Sequence, residues 1–384
     1  MNQYDYIIAG TGCAGFSLLM RMIASGKLAD KRILIVDKEP KFTNDRTWCF
    51  WEQEPDIFES VVYRQWDRLY VHTNERSSFL KIDPYRYKMI RGIDFYNHCF
   101  KVVTNQPNID MMYSTITDIS TDKTKASITA SGDTYTADYV FSSIMPDILP
   151  KQDGRHYLLQ HFKGWIIETD RICFGTDAAT LMDFRVPQQE GAGFVYVLPL
   201  AGNKAMIEYT LFSKQTLSSD EYDDVLWKYI KDYYPGVGYG ITAEEYGVIP
   251  MTNHNFKSVD GRIINIGTAG GQTKPSSGYT FKFIQEHTQK LVDRLVATGD
   301  PYLAQTANSR FLFYDTVLLR VLSEGRVPPD EIFGKLFNTD NPQRLLRFLD
   351  NSSTPQEEVQ IISSLPTLPF LRAAAKEIKS FLRT

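Results

Sequence analysis

A strand, a glycine turn and a helix are packed into residues 4–23, YDYIIAGTGCAGFSLLMRMI. Tyr6 to Ala9 form the apolar centre of the strand. FSLLMRMIAS then carries apolar residues at helical spacing, and Gly26 is placed to stop the helix. KRILIVDKE, residues 31–39, reads as a second buried strand ending at Asp37. Gly10, Gly12 and Gly15 match G-x-G-x-x-G in the β-α-β context that gives the pattern meaning. Gly10 permits the tight turn, Gly12 lets a pyrophosphate approach the backbone, and Gly15 lets helix and strand pack closely. Cys13 and Ala14 open the helix, whose free N–H groups face the phosphates. Asp37 lies 22 positions after Gly15, where an acid binds ribose hydroxyls. The chain is therefore expected to bind a dinucleotide.

Composition narrows the class. A formal net charge of -4 argues against a nucleic-acid binder, which carries a basic face. The four cysteines (Cys13, Cys49, Cys99, Cys173) form no CxxC, and the six histidines show no pair at metal spacing. Reduced thiols, a cytoplasmic location and no metal are expected. The N-terminus runs straight into a strand, so no signal peptide is expected. No apolar run approaches eighteen residues, so no membrane span is expected.

Regular βα repeats stop after Asp37. KEPKFTNDRTWCFWEQE is polar and aromatic, with no helical period, whereas a simple dehydrogenase would continue with a third parallel strand and helix. Such an excursion suits FAD, whose isoalloxazine ring is held by later segments. A second glycine-rich stretch lies at 261–296. RIINIGTAG reads as a strand entering a turn, and SGYTFKFIQEHTQKLVDRLV as a helix opened by Ser277 and Gly278. Gly267, Gly270 and Gly278 are the expected second contact with the same cofactor.

The middle of the chain alternates. ASITASGDTYTADYVFSS reads as a hairpin turning at SGD, and AGN between YVLPL and KAMIEY marks another. Residues 217–235 read as a helix starting near Ser218. Beyond about residue 300 the chain reads as helical, with turns at GRVPPDE and NTDNPQR. The expected division is a discontinuous nucleotide domain (1–150 and 256–298), an antiparallel substrate domain (151–255) and a helical region (299–384).

Five segments then occur in one order: DRTWCFW (45–51), MDFR (182–185), FVYVLPL (194–200), MIEYT (206–210) and GTAGGQTKPSSGYTF (267–281). Together they resemble the flavoprotein-type lycopene cyclase family of carotenoid-making bacteria and plants, over most of the chain. LPL followed seven residues later by Ile-Glu-x-Thr is the most telling part. The resemblance implies an α/β fold. This is a Rossmann-like FAD domain of the glutathione-reductase/hydroxylase type, with an interleaved antiparallel β substrate domain and C-terminal helices. It also implies an isomerase that closes lycopene end groups to β-ionone rings, giving β-carotene by way of γ-carotene. The family's acidic motif has two acids in a row before its Thr; here Glu208 is followed by Tyr209. Thr268 stands where many flavoproteins have Asp.

Under this resemblance Glu208 is the proton donor to the terminal alkene. An ordinary Glu, near ~4.3, is ionised at neutral pH, so the role requires burial. The competing reading is an outward Glu on an alternating strand. Reduced, anionic FAD would stabilise the cation, with NAD(P)H as its expected reductant. Arg46 is expected with the cofactor, and Trp48, Phe50, Trp51, Arg185 and Tyr209 around the substrate. Core packing is the alternative for the aromatic residues. Asp183 and Arg185 share a strand face, either as a structural ion pair or as the flavin-facing wall, with Asp183 assisting proton movement.

The hydrocarbon substrate implies peripheral contact with a membrane. In LPFLRAAAKEIKSFLRT, Leu371, Ala374, Ala375, Ile378, Phe381 and Leu382 fall on one helical face, with Arg372, Lys376, Lys379 and Arg383 mainly elsewhere. Docking of that face on the protein itself is the alternative. Two other functions stay open: a hydroxylase or geranylgeranyl-type reductase, which consumes nicotinamide in proportion to product, and a non-catalytic flavin-carrying carotenoid binder.

Overall fold

A computed structural model describes residues 2–146, 149, 152, 154–303 and 309–381. β1 (Gln3–Ala9), α1 (Cys13–Ser25) and β2 (Ile33–Asp37) form the β-α-β unit, and Gly26 caps α1 in the left-handed conformation. β3 (Thr47–Glu52), β4 (Val62–Trp66), β5 (Arg68–His72), β6 (Ser77–Lys81) and β7 (Arg86–Arg91) follow. Next come α2 (Gly92–Val103), β8 (Ile109–Tyr113), β9 (Ile116–Thr121), β10 (Ala126–Ala130) and β11 (Asp133–Ser142). The middle holds β12 (Tyr157–Thr169), β13 (Ala179–Asp183), β14 (Ala192–Ala201), β15 (Lys204–Ser213), α3 (Ser219–Tyr233) and β16 (Tyr239–Thr252). The chain returns with β17 (Val259–Asp260), β18 (Ile263–Asn265) and α4 (Phe281–Thr298). The last helices are α5 (Ser309–Glu324), α6 (Pro329–Leu336), α7 (Pro342–Leu349), α8 (Pro355–Ser364) and α9 (Thr367–Phe381).

One sheet runs β17-β18-β11-β1-β2-β8, with β10 and β9 added beside β11. Its core strands pair in parallel, β1 lying between β2 and β11. Both faces are covered, which is why Ile7, Ile8, Ile33, Leu34, Ile35 and Val36 are continuously apolar and buried. The side chains of α1 and α4 pack together under this sheet. The SGD turn joins β10 to β11 with Ser131 and Gly132 both at positive φ, as a two-residue hairpin of this twist requires.

The second sheet runs β16-β12-β15-β14-β13-β5-β6 and is antiparallel except where β13 pairs with β5. It alternates. Val195, Val197, Ile207, Tyr209 and Leu211 face α3, whose Tyr222, Leu226, Tyr229 and Ile230 complete that core. Tyr196, Leu198, Met206 and Glu208 face the other way. Glu221 accepts the Ser218 N–H at the start of α3 at 2.8 Å.

Two expectations need correction. Residues 68–81, placed by sequence in the nucleotide domain, form β5 and β6 of the second sheet. Their partner β13 lies about a hundred residues away, so no local pattern announces the pairing. The helix expected from Ser277 begins instead at Phe281, after Thr280. Gly278 is left-handed, and Lys274 closes a tight loop by backbone bonds to Gly278 and Tyr279. Buried Lys274 also sits 2.9 Å from Asp315 of α5.

Candidate active site

The two glycine segments meet. A Cβ on Gly267 would lie 2.8 Å from the Ala14 Cβ, so backbone and helix start are in direct contact there. Under the first loop a Cβ on Gly15 would lie 1.9 Å from the Gly10 carbonyl oxygen, which excludes any side chain. Gly12 is different: nothing lies within 4 Å of where its Cβ would be. It caps α1 with no side chain capping the helix and no acid in the first turn. Open space and unshielded helix N–H groups suit a phosphate.

A cavity of about 570 Å³ starts at this point. Gly12, Cys13, Ala14, Arg46, Trp48, Gly267, Thr268 and Gly278 line it at one end, and Tyr196, Met206, Glu208, Gln160, Phe162 and Ile249 belong to the second sheet. Gln160 Oε1 is buried and has no hydrogen-bond partner among the described residues, and a Cβ on Gly278 would sit 2.1 Å from it. A bare acceptor facing the second glycine segment is what a ring N–H would satisfy. The free helix start, the joined glycine segments and this orphaned oxygen fit a flavin dinucleotide.

Glu208 lies on the sheet side of the cavity, 9% exposed. Burial pushes its carboxyl up to about 8, and the charge of Glu245 adds to the rise. Thr210 Oγ1 donates to Glu208 Oε1 at 3.0 Å and partly opposes it. A Glu with these surroundings is protonated at neutral pH and can act as an acid.

Strand register separates the remaining residues named from sequence. Tyr196, Glu208 and Gly164 are direct cross-strand partners and share the cavity face. Asp183 pairs with Val195, and Val195 with Tyr209, so Asp183 and Tyr209 share the opposite face, under α3. Asp183 is fully buried. It accepts from Arg185 Nε at 2.8 Å, Arg185 Nη2 at 2.6 Å and the Tyr229 hydroxyl at 2.7 Å. The Arg185 guanidinium stacks 4.2 Å over the Tyr233 ring. Asp183, Arg185 and Tyr209 are thus not at the cavity; they form the structural ion pair and the core beside it. Phe50 stacks on Phe281 with ring centroids 4.4 Å apart, and Trp51 meets Tyr279 edge-on at 4.9 Å, both behind the cavity wall. Asp37 sits at the end of β2 and accepts the Thr11 N–H and hydroxyl, both at 2.7 Å. Gly270 lies in the second turn, where a Cβ would meet the Asn265 carbonyl oxygen at 2.2 Å. Among the described residues no group of three His, Cys, Asp or Glu side chains is placed to hold a metal.

The family model for lycopene cyclase proteins matches residues 5–375. The chain belongs to the lycopene cyclase family. The chain is 24% identical over 303 residues to a lycopene beta-cyclase of Pantoea ananas, covering 72% of this chain and 71% of that one. It is 24% identical over 296 residues to a lycopene beta-cyclase of Paracoccus sp. (73% and 71% covered). Solved structures share the fold at low identity. The p-nitrophenol 4-monooxygenase PnpA of Pseudomonas putida gives a TM-score of 0.61 at 13% identity, covering 94% of this chain and 98% of that one. A geranylgeranyl bacteriochlorophyll reductase-like protein of Thermoplasma acidophilum gives 0.60 at 12% (98% and 96%). A variant of Klebsiella pneumoniae HpxO complexed with FAD gives 0.57 at 14% (94% and 99%). The chain therefore has the fold of FAD-binding flavoproteins.

The missing second acid of the family motif now has a spatial context. Position 209 follows Glu208 on a strand and so faces away from the cavity. Glu245 of β16 lies on the Glu208 side of the sheet, directly across Gly164 from Glu208. Sequence reading missed Glu245, Gly164, Gln160 and Tyr196, because only the pairing of β12, β14, β15 and β16 assembles them.

Proposed function

We propose that this chain binds FAD and cyclises lycopene end groups to β-ionone rings without net redox change. The observation that carries the reading is Glu208: a buried carboxyl on the cavity wall, held protonated at neutral pH. The family match and the named relatives supply the substrate class.

Glu208 donates its proton to the terminal alkene, the neighbouring double bond closes the ring on the resulting tertiary cation, and a ring proton is lost. One proton enters and one leaves, so the product is an isomer. The apolar cavity walls, Phe162, Leu198, Met206 and Ile249 among them, exclude water that would quench the cation. When bound, FAD in its reduced, anionic form would supply fixed negative charge that opposes the cation's positive charge. Gly12, the start of α1, Gly267 and Gly278 would hold it, and Arg46 lines the same cavity. NAD(P)H is the proposed reductant, visiting rather than resident.

Access from a bilayer is proposed through the outer face of α9. That helix seats Ala373 and Glu377 inward. Glu377 is held by His156 at 2.8 Å and by Arg320. Leu368, Leu371 and Ile378 are left 66%, 61% and 50% exposed on one stripe, with Arg372 and Lys379 beside it. An apolar stripe flanked by cations suits an anionic lipid surface. Leu382 and Arg383, and the side chain of Phe381, lie outside the described residues. His156 precedes Tyr157, which lines the cavity and is 52% exposed, so the stripe and the cavity rim are tied together. No described helix is long and apolar enough to cross a membrane.

The test is pigment analysis with FAD-loaded protein, reductant and lycopene in vesicles. β-Carotene should form without nicotinamide consumption in proportion to product. Unchanged lycopene overturns the reading; proportional nicotinamide turnover points to a reductase or hydroxylase.

A further inference from the structure

The pairing of four strands lines up Tyr196 (β14), Glu208 (β15), Gly164 (β12) and Glu245 (β16) in one cross-strand row. Direct partners in antiparallel pairs point to the same face. The two glutamates are therefore two strand spacings apart, about 10 Å at Cα, with only a glycine between them. That glycine gives Glu208 room. A Cβ at 164 would lie 3.1 Å from Glu208 Cβ, 3.3 Å from its Cγ and 3.2 Å from Met206 Cε. A side chain there would crowd Glu208 by a few tenths of an ångström and stand between it and Glu245.

The two carboxyls are both raised by burial but differ in the donors that oppose it. Both oxygens of Glu245 take donors from one residue: the Thr47 N–H at 2.8 Å and the Thr47 hydroxyl at 2.6 Å. Burial raises the Glu245 carboxyl too, but the two Thr47 donors and the Arg46 charge oppose that rise, with Asp45 partly offsetting Arg46. Glu208 has a single neutral donor, Thr210, and faces Tyr196 and Cys49, neither of which stabilises a negative charge there. Lys163 is turned to the other face, where it pairs with Asp223 and Glu244. Two like charges in one dry site do not both form readily, and the better-solvated member takes the charge.

We propose that Glu245 is a positioning residue of the acid site: the carboxylate of the pair, anchored by Thr47, whose charge keeps the proton on Glu208. It is a role that an acid at position 209, which faces α3, could not fill. It also couples the acid to the first glycine region, because Thr47 lies between Arg46 and Trp48 on the cavity wall. The proposal rests on Glu208 being the proton donor.

Infrared titration of the protonated-carboxyl band in FAD-loaded protein tests it, with Glu208→Gln identifying the Glu208 signal. In Glu245→Gln the Glu208 midpoint should fall by on the order of one pH unit, and the alkaline limit of cyclisation should move with it. Glu245→Asp should bring both back toward wild type. An unmoved midpoint in folded, flavin-loaded Glu245→Gln overturns the proposal, whatever its activity. If that variant does not load flavin, Thr47→Val replaces it: loss of one donor should raise the lower midpoint of the pair, and no change overturns the proposal. A shifted midpoint in a protein that leaves lycopene unchanged supports the pair and removes the cyclase reading instead.

Discussion

A carboxyl group protonates an alkene only if it still holds its proton when the substrate arrives. For Glu208, burial is the larger cause of proton retention and Glu245 the smaller. On the proposed mechanism the acid form is the active one, so cyclisation should persist below about pH 8 and fall as pH rises through it. Glu208→Gln cannot donate a proton. It should keep bound FAD, read from its visible absorption, while losing about 10²–10⁴-fold in cyclisation rate. Full activity in that variant would remove Glu208 from the mechanism. Glutamate at 208 and threonine at 210 were legible in the motif, but the side they face was not. Alternation along MIEYT is equally consistent with either face, and only the neighbouring strands break the tie.

At the scale of elements, the second sheet has two chemically different faces. The α3 face holds Asp183, Arg185 and Tyr229 in a closed hydrogen-bonded cluster away from Glu208. Asp183→Asn should therefore lower the urea midpoint, by roughly 2–4 kcal/mol of stability, because it leaves Arg185 and Tyr229 badly matched. Its folded fraction should cyclise at the wild-type rate. A rate loss with unchanged stability would return Asp183 to the site. α9 is the second informative element. Its sequence has one amphipathic pattern and two claims on it, the protein and a lipid surface. Ala373 and Glu377 face α5, while Leu368, Leu371 and Ile378 face out. Leu371→Glu with Ile378→Glu should leave thermal stability within about 0.5 kcal/mol and abolish co-sedimentation with anionic vesicles. Retained co-sedimentation would place the contact elsewhere.

Across the whole molecule, the cofactor region is built from residues far apart in sequence: Ala14, Arg46, Gly267 and Gly278. A ligand that contacts all of them binds the native chain and not the unfolded one. Free FAD at about a hundred times its Kd should add about 2.7 kcal/mol to unfolding, seen as a concentration-dependent rise in Tm. Gly12→Glu, at a position with open space and φ of -74°, should abolish that rise and leave apo stability nearly unchanged. A rise that persists in Gly12→Glu would argue against phosphate binding at the start of α1.

What the amino-acid sequence determined by itself is what short range encodes. The β-α-β unit around GTGCAG, the SGD hairpin and the start of α3 follow from turn residues, apolar period and capping within a few positions. The ordered motifs also marked the family. Tertiary structure alone decided the site: that Gly267 touches Ala14, that 68–81 joins the second sheet, that Asp183 and Glu208 lie on opposite faces, and that Glu245 faces Glu208 across Gly164. The reason is register. A strand's side chains alternate with a period of two, so a one-residue slip in pairing reverses every face. Pairing between strands tens to hundreds of residues apart is selected by the total burial of the folded chain, not by any local stretch of it.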